Sequence, residues 1–401
     1  GLEPVVYPSE VLKEALGRTL GVPIFQEQVM QIAMLAAGFT AGQADGLRRA
    51  MAAWKRKGGL HKYEDLLVNG MRERGYDSAF IESICQQIKG FSEYGFPESH
   101  AASFALLVYA SCWIKCHYPA QFLVAMLNSQ PLGFYTPSQL VQDARRHDVT
   151  VRPVDVMDSD WDCTIQDEDG AFEVRLGLRL VSHLAKATGL RIVEARQQAP
   201  FDSADDLARR AGVSDSEMKV LAGADALMSL SGHRRQQVWD AAALKAAPAL
   251  LTEAPIDEDY LELRAAPEGE EVVWDYASTG LTLRSHPLAL LRPRLARRGL
   301  LSAAQLDKAA DGQVVRACGI VTLRQQPETA KGTIFVSLED ETGTVQVICW
   351  KSIRETQREA LLKARLMAVQ GVWQRAGLVK NLIAQEIRDL TPMLGRLGSL
   401  G

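Results

Sequence analysis

Long apolar runs are absent from these 401 residues. The longest, at 101–114, is interrupted by Ser103 and Ser111 and closed by His100 and Lys115. A membrane span needs about 18 or more apolar residues, so this run reads as a buried helix and no membrane is expected as a partner. Cysteine is scarce, with six residues at 85, 112, 116, 163, 318 and 349 and no CxxC among them. That excludes zinc-ribbon spacing and a small disulfide-stapled domain, and points to reduced thiols in the cytoplasm. Neither charge sign dominates, with 45 Lys+Arg against 49 Asp+Glu and a net charge of −4. The balance gives no hint of a polyanionic partner, although a total averages over patches. There is no Walker loop, no HExxH, no GxSxG and no GxGxxG in a strand-turn-helix setting. His147 and His183 lack metal-ligand spacing. Asp158, Asp160 and Asp162 alternate around Trp161 without the glycine and terminal glutamate of a calcium loop, so they read as a polar turn. No metal site is expected in this chain. An initiator Met and a basic, then apolar, leader are also missing, which suggests part of a longer protein.

What is present is ordinary globular usage, 47% hydrophobic and 23% charged. At roughly 100–200 residues per domain, the length suggests two to four domains. The fold class expected is multidomain, mainly α with a C-terminal all-β part. Residues 1–148 read as almost wholly helical. Phe25, Val29, Ile32, Ala33 and Ala36 recur at helical spacing and Gly38 ends that helix. Thr40 and Asp77 are caps for later helices, and Pro119 and Pro137 sit where helices begin. Short extended segments follow at 150–177, then short helices to 247. Residues 252–275 carry nine acids and one base, Arg264, and read as a solvated connection. Residues 284–298 hold five Arg and no acid. At 313–388, three strands, one helix over 353–362 and two more strands match a five-stranded barrel of oligonucleotide-binding type.

Four stretches carry candidate chemistry. Arg48 and Arg49 are adjacent on a helix, in a span without acids between Asp45 and Glu64 that also holds Lys55 and Lys57. Their forks can bracket a phosphate group; a solvated basic face is the plainer reading. Gly42 and Gly46 inside that helix cost about 1 kcal/mol each against Ala, which hints at close approach by a neighbour. Tyr94, Phe96, Ser99 and His100 form an aromatic turn into a helix N-terminus, a place suited to phosphate and base or simply to a capped turn. The stretches 177–196 and 221–239 read as helix-turn-helix hairpins. Gly223, His233, Arg234 and Arg235 in the second can meet DNA phosphates, or pack as plain helices. In the barrel, Lys331, Phe335, Trp350 and Trp373 are candidates for a single-strand surface, and each aromatic can equally fill the core.

The run Phe25-Gln26-Glu27-Gln28-Val29-Met30, then Gly38-Phe39-Thr40 and Ala44-Asp45-Gly46-Leu47-Arg48-Arg49-Ala50-Met51, resembles the fingers of bacterial C-family DNA polymerases of the DNA polymerase III alpha type. So do Tyr94-Gly95-Phe96-Pro97-Glu98-Ser99-His100 with the residues to Ala105, and Trp113-Ile114-Lys115 with His117-Tyr118-Pro119-Ala120. Residues 127–135, 143–147, 285–288 and 329–332 are similar to the error-prone, damage-inducible branch of that family.

The resemblance implies fingers at 1–150, a helix-hairpin-helix DNA-binding region at 151–250, an acidic then Arg-rich connection at 251–312, an OB-fold barrel at 313–390 and a tail at 391–401. It implies a C-terminal portion whose palm, with Mg²⁺ and the catalytic aspartates, lies upstream, so no catalytic residue is expected here and the chain alone is expected to be inactive. It assigns the incoming dNTP to Arg48, Arg49, Lys55, Lys57, Tyr94, Phe96, Ser99 and His100. It assigns primer-template and single-stranded template DNA to Lys115, Gly223, His233, Arg234, Arg235, Lys331, Phe335 and Trp350. The complete enzyme would act in translesion synthesis, DNA repair and SOS mutagenesis with accessory mutasome proteins. Residues 240–285 lack a Gln-plus-hydrophobic clamp motif, so the sliding clamp would be reached indirectly. A high-fidelity replicative alpha subunit and a non-catalytic DNA-binding module are the alternatives.

Overall fold

A computed structural model describes residues 7, 9–57, 60–91, 97–133, 135–168, 171–244, 261–327, 330, 332–377 and 379–399. The chain divides into two compact units, Gly1–Cys116 and His117–Gly401.

The first unit is helical: α1 (Glu10–Leu16), α2 (Gln26–Ala37), α3 (Ala41–Lys57), α4 (Leu60–Glu73), α5 (Ser78–Phe91) and α6 (Glu98–His117), which crosses the unit boundary. The apolar spacing read in α2 is its core face, because Val29, Ile32, Ala33 and Ala36 are all fully buried. Gly38 ends α2 with φ +73°, a conformation that costs glycine little. Thr40 caps α3 by accepting the Gln43 N–H at 3.3 Å, and Asp77 caps α5 by accepting the Phe80 N–H at 2.8 Å. These bonds satisfy N–H groups that a helix start otherwise leaves without partners. Ala44, Leu47 and Met51 carry α3 into the same core.

The apolar run at 101–114 departs from expectation. It is helical, but α6 has no buried residue, and Leu106 and Tyr109 are 75% and 74% exposed. Apolar side chains follow every face of α6 rather than one stripe, and none of them is buried. No helix among the described residues is long and apolar enough to cross a membrane.

The second unit starts with α7 (Pro119–Asn128) and α8 (Pro137–Arg146), each with Pro in its first turn. A three-stranded sheet follows, β1 (Val151–Arg152), β2 (Thr164–Glu168) and β3 (Ala171–Arg175), in the order β1-β3-β2. Then come α9 (Lys186–Gln198), α10 (Ala204–Ala211), α11 (Asp215–Gly223), α12 (Met228–Ser231) and α13 (Arg234–Ala243). One core runs from Ala120 to Leu281, so α7 and α8 pack with the hairpin region.

The expected solvated connection is a folded layer where it is described. It holds α14 (Glu268–Ser278), α15 (Pro287–Arg297) and α16 (Ala303–Leu306). Leu288, Leu291 and Leu295 of α15 are fully buried against Cys318, Leu366 and Ala368 on the barrel wall. The acidic count misled because Glu271 and Asp275 of α14 are themselves buried, with Arg partners described below.

The barrel is closed, in the order β4-β5-β6-β8-β7, from β4 (Val314–Gln325), β5 (Ile334–Asp340), β6 (Gly343–Cys349), β7 (Leu366–Ala376) and β8 (Val379–Asp389). The Asp340 carboxylate accepts the Thr342 and Gly343 N–H groups at 2.7 and 3.0 Å, which shapes the turn between β5 and β6. The single helix expected between β6 and β7 is two, α17 (Lys351–Thr356) and α18 (Arg358–Lys363), broken at Gln357. None of the six cysteines is in a disulfide, and burial pushes the thiols of Cys318 and Cys349 up to about 12.

Of the two glycines singled out in α3, Gly46 has a neighbour: a Cβ there would collide with the Tyr63 hydroxyl of α4, whereas one at Gly42 would meet nothing within 4 Å. Gly70 of α4 is tighter, since its Cβ would strike the Ala37 carbonyl oxygen. Gly42→Ala is therefore expected to gain up to about 1 kcal/mol from helix propensity. Gly70→Ala gains the same propensity but forces two helix backbones apart, at about 1–3 kcal/mol. Thermal unfolding should show a rise for the first and a fall for the second.

Candidate nucleic-acid interface

Arg48 and Arg49 lie on the outer side of α3, opposite buried Leu47 and Met51. Both meet one carboxylate. Asp45 Oδ1 accepts from Arg48 Nε at 3.0 Å and Nη2 at 2.7 Å, and Oδ2 lies 3.1 Å from Arg49 Nε. The bond from Arg48 holds the Asp45 carboxyl below its ordinary range. Lys55 and Lys57 continue α3, but their side chains lie outside the described residues, as do Tyr94 and Phe96 entirely.

The N-terminus of α6, read as a phosphate site, is occupied from within the chain. Glu27 accepts the Glu98 N–H at 2.9 Å, the Ser99 N–H at 3.2 Å and the Ser99 hydroxyl at 3.1 Å. Burial raises the Glu27 carboxyl, but these bonds outweigh it and hold it low. Arg18 adds a 2.7 Å ion pair to Glu98. The His100 ring lies 4.3 Å from the Phe104 ring, centroid to centroid. Ser99 is thus committed to the helix start, while His100 stays exposed beside Phe104. Lys115 is half-buried near the end of α6.

The second hairpin also differs from its reading. Arg234, expected to face DNA, is 2% exposed. Its Nη1 donates to the Glu271 carbonyl at 2.8 Å and lies 2.9 Å from the Glu271 carboxylate, while Nη2 bonds Asp275. Arg284 joins from the other side, 2.8 Å from Asp225 and 3.0 Å from Glu271. Thr282 donates to Asp275 at 2.6 Å. Burial raises the Glu271 carboxyl in spite of both guanidinium groups. For Arg284, burial alone would lower the pKa, but the Asp225 hydrogen bond and the three carboxylates raise it. Gly223 is buried, with room for only a Cβ before the Trp274 ring. His233 caps α13 through Nδ1, and its Nε2 lies 2.7 Å from the Leu263 carbonyl oxygen. Arg235 pairs with Glu270 at 2.7 Å. Gly223, His233 and Arg234 therefore serve packing and capping rather than an exposed phosphate surface. The Ser229 N–H and hydroxyl at the start of α12 are taken by Asp155, at 3.1 and 2.7 Å.

The three aspartates around Trp161 are a polar turn, each with its own arginine: Asp158–Arg175 at 3.2 Å, Asp160–Arg196 at 2.8 Å and Asp162–Arg179 at 2.7 Å. Among the described residues no three His, Cys, Asp or Glu side chains converge to hold a metal ion. The Mg²⁺ implied by the resemblance therefore has no fitting donors among them.

The barrel separates the three aromatics. Trp373 is 2% exposed in the core, and its indole N–H finds no partner. Trp350 is 52% exposed where β6 gives way to α17. Phe335 is 36% exposed on β5, opposite Gln325 of β4 and Ile348 of β6. Leu323, opposite Ser337, extends that outer patch. Lys331 lies outside the described residues. The structure brings two other bases to the neighbouring loop: a Cβ at Gly332 would sit 3.7 Å from Lys351 Cγ and 3.8 Å from Arg354 Nη1. Sequence reading missed both, although Lys351 directly follows Trp350.

Residues 1–75 match the family model of the bacterial DNA polymerase III alpha subunit finger domain, 148–237 that of the helix-hairpin-helix motif, and 306–390 that of the OB-fold nucleic acid binding domain. Across 398 residues, 99% of the chain, it is 53% identical to an error-prone DNA polymerase of Alkalilimnicola ehrlichii. The chain belongs to the bacterial DNA polymerase III alpha-type family. Error-prone DNA polymerases of Ralstonia nicotianae and Methylococcus capsulatus are 56% and 51% identical over 98% and 99% of the chain. The chain spans 39%, 38% and 40% of the length of these three relatives. Among solved structures, an asparaginyl-tRNA synthetase from Pyrococcus horikoshii is matched at 22% identity and a TM-score of 0.20, over 23% of this chain and 22% of that one.

Within this family member, the Arg234 cluster is testable as structure. Arg234→Leu leaves Glu271 and Asp275 short of a buried partner and is expected to cost about 3–5 kcal/mol. Arg235→Ala breaks a half-exposed pair and should cost less than about 1 kcal/mol. Urea unfolding of the two variants should separate them by that margin.

Proposed function

We propose that this chain is part of an error-prone, DNA-directed DNA polymerase that acts in translesion synthesis and DNA repair. The observation that carries this reading is the 53% identity over 99% of the chain to a relative named an error-prone DNA polymerase. In the complete enzyme, nucleotidyl transfer would need Mg²⁺ held by other residues. The residues present would bind and orient. Arg48 and Arg49 would receive the triphosphate of the incoming nucleotide, with Lys55 and Lys57 adding positive field and Tyr94, Phe96, Ser99 and His100 shaping the pocket. The hairpin region would hold duplex DNA, with Arg235 as a half-exposed base; Lys115, in the first unit, would make its own contact with DNA. The barrel would hold the single-stranded template on Phe335 and Trp350, with Lys331, Lys351 and Arg354 against its phosphates. Accessory mutasome proteins would bring the polymerase to damaged DNA in the cytoplasm, and the sliding clamp would act through them.

Exposed aromatics beside bases suit stacking that tolerates any sequence. Each base stacked on an aromatic contributes about 1–3 kcal/mol, roughly 5- to 150-fold in affinity. Phe335→Ala and Trp350→Ala should each weaken binding of a single-stranded oligonucleotide to the chain by a factor in that range, read by fluorescence anisotropy. Trp373→Phe, a core change, should leave affinity unchanged. Normal affinity in both surface variants would remove the barrel from the template path. For the nucleotide role, Arg48→Ala in the assembled polymerase should raise the nucleotide KM or lower kcat while DNA affinity holds. Loss of DNA affinity without a nucleotide effect would reassign Arg48.

A further inference from the structure

Arg48 and Arg49 carry like charges on adjacent positions of one helix, and a flexible pair would splay apart. In this chain one carboxylate gathers them. Asp45 stands three and four residues before them, so all three side chains share a face of α3. The geometry is specific. Both Nε and Nη2 of Arg48 converge on Oδ1, which fixes the plane of that guanidinium, and Nε of Arg49 reaches the other oxygen. The remaining guanidinium nitrogens are not spent on Asp45. Among the described residues, no carboxylate other than Asp45 is paired with either group. The platform beneath is rigid, because Ala44 and Leu47 are at most 1% exposed and Gly46 lets Tyr63 close against the helix.

We propose that Asp45 is a positioning residue of the nucleotide site, holding the Arg48 and Arg49 guanidinium groups side by side so that their outer nitrogens meet a nucleoside triphosphate together. This rests on the reading that those two arginines receive the nucleotide. A long side chain gives up rotamer freedom when it grips a ligand, and a prearranged one gives up less. The hydrogen bond from Arg48 also lowers the Asp45 pKa, which favours the charged carboxylate that gathers the two arginines.

If Asp45 acted only through its charge, neutralising it would add net positive charge and tighten binding of an anion. If it positions the arginines, neutralising it weakens binding. Calorimetric titration of the chain with dATP, and with inorganic tripolyphosphate as a probe without base or sugar, compares wild type with Asp45→Asn, Asp45→Ala, Asp45→Glu, Arg48→Ala and Arg49→Ala. Asp45→Asn and Asp45→Ala are expected to weaken both ligands about three- to tenfold, while Asp45→Glu, which keeps a carboxylate within reach, retains most of the affinity. Unchanged or tighter binding in Asp45→Asn overturns the positioning role even when the two arginine variants bind poorly. Wild-type affinity in both arginine variants, or no binding by the wild type, overturns the nucleotide reading itself. Unfolding temperatures of the variants separate a lost platform from a lost orientation.

Discussion

The buried guanidinium of Arg234 is the constraint on which the arrangement of the second unit depends. It opens α13, yet its partners belong to α14, about forty residues later, and Arg284 closes the cluster from beyond α14. Three carboxylates, Asp225, Glu271 and Asp275, face two guanidinium groups, with Thr282 supplying a further donor. Removing charges from water is costly, and only close pairing and hydrogen bonding offset it. The compensation is incomplete. Glu271 keeps a raised pKa, and the Nε of Arg234 has no partner. The sign matters for pH. A carboxylate with a raised folded-state pKa binds its proton more readily in the folded chain, so its cost is relieved as pH falls through that value. Glu217 and Asp206 are lowered, and their contributions are present above the unfolded pKa and lost on acidification. The cluster places α14, and α14 lies next in sequence to the helix α15 that seats the barrel wall. The tie from α15 to the barrel is a separate ion-pair set, Arg292 with Asp340 and Glu341.

A second theme is that carboxylates of the chain occupy places suited to phosphate. Glu27 fills the N-terminus of α6, Asp155 takes the amide and hydroxyl of Ser229, and Asp45 joins Arg48 to Arg49. The common physics is the attraction of an anion to aligned N–H groups or guanidinium forks. The three differ in consequence. Glu27 and Asp155 use up backbone donors that have no other edge to offer a ligand. Asp45 uses one edge of groups that have more, which is why it can orient them rather than block them.

Much of this architecture is legible in the sequence where a local rule decides it. The α2 spacing, the Thr40 and Asp77 caps and the Pro119 and Pro137 helix starts each depend on neighbours within about one turn. The barrel strands are legible because closure imposes alternation, and β5 and β6 follow it closely. The misreadings share a non-local cause. The run at 101–114 looks buried by composition, but burial is set by what lies opposite, and α6 has apolar residues on all sides. The acidic stretch looks solvated because its counter-charges, Arg234 and Arg284, are distant in sequence or assigned to a separate basic run. Gly42 and Gly46 are indistinguishable by propensity, and only the approach of Tyr63 separates them. The aromatics of the barrel show the same limit at the site itself. Trp373 stands in step with Val369 and Gly371 on the inward side of β7, whereas Trp350 lies just past the end of β6, where strand alternation no longer dictates a side. A stacking surface is therefore to be sought at strand ends and on outward positions such as Phe335, and the nearby bases, Lys351 and Arg354, come from the helix that the strand end begins.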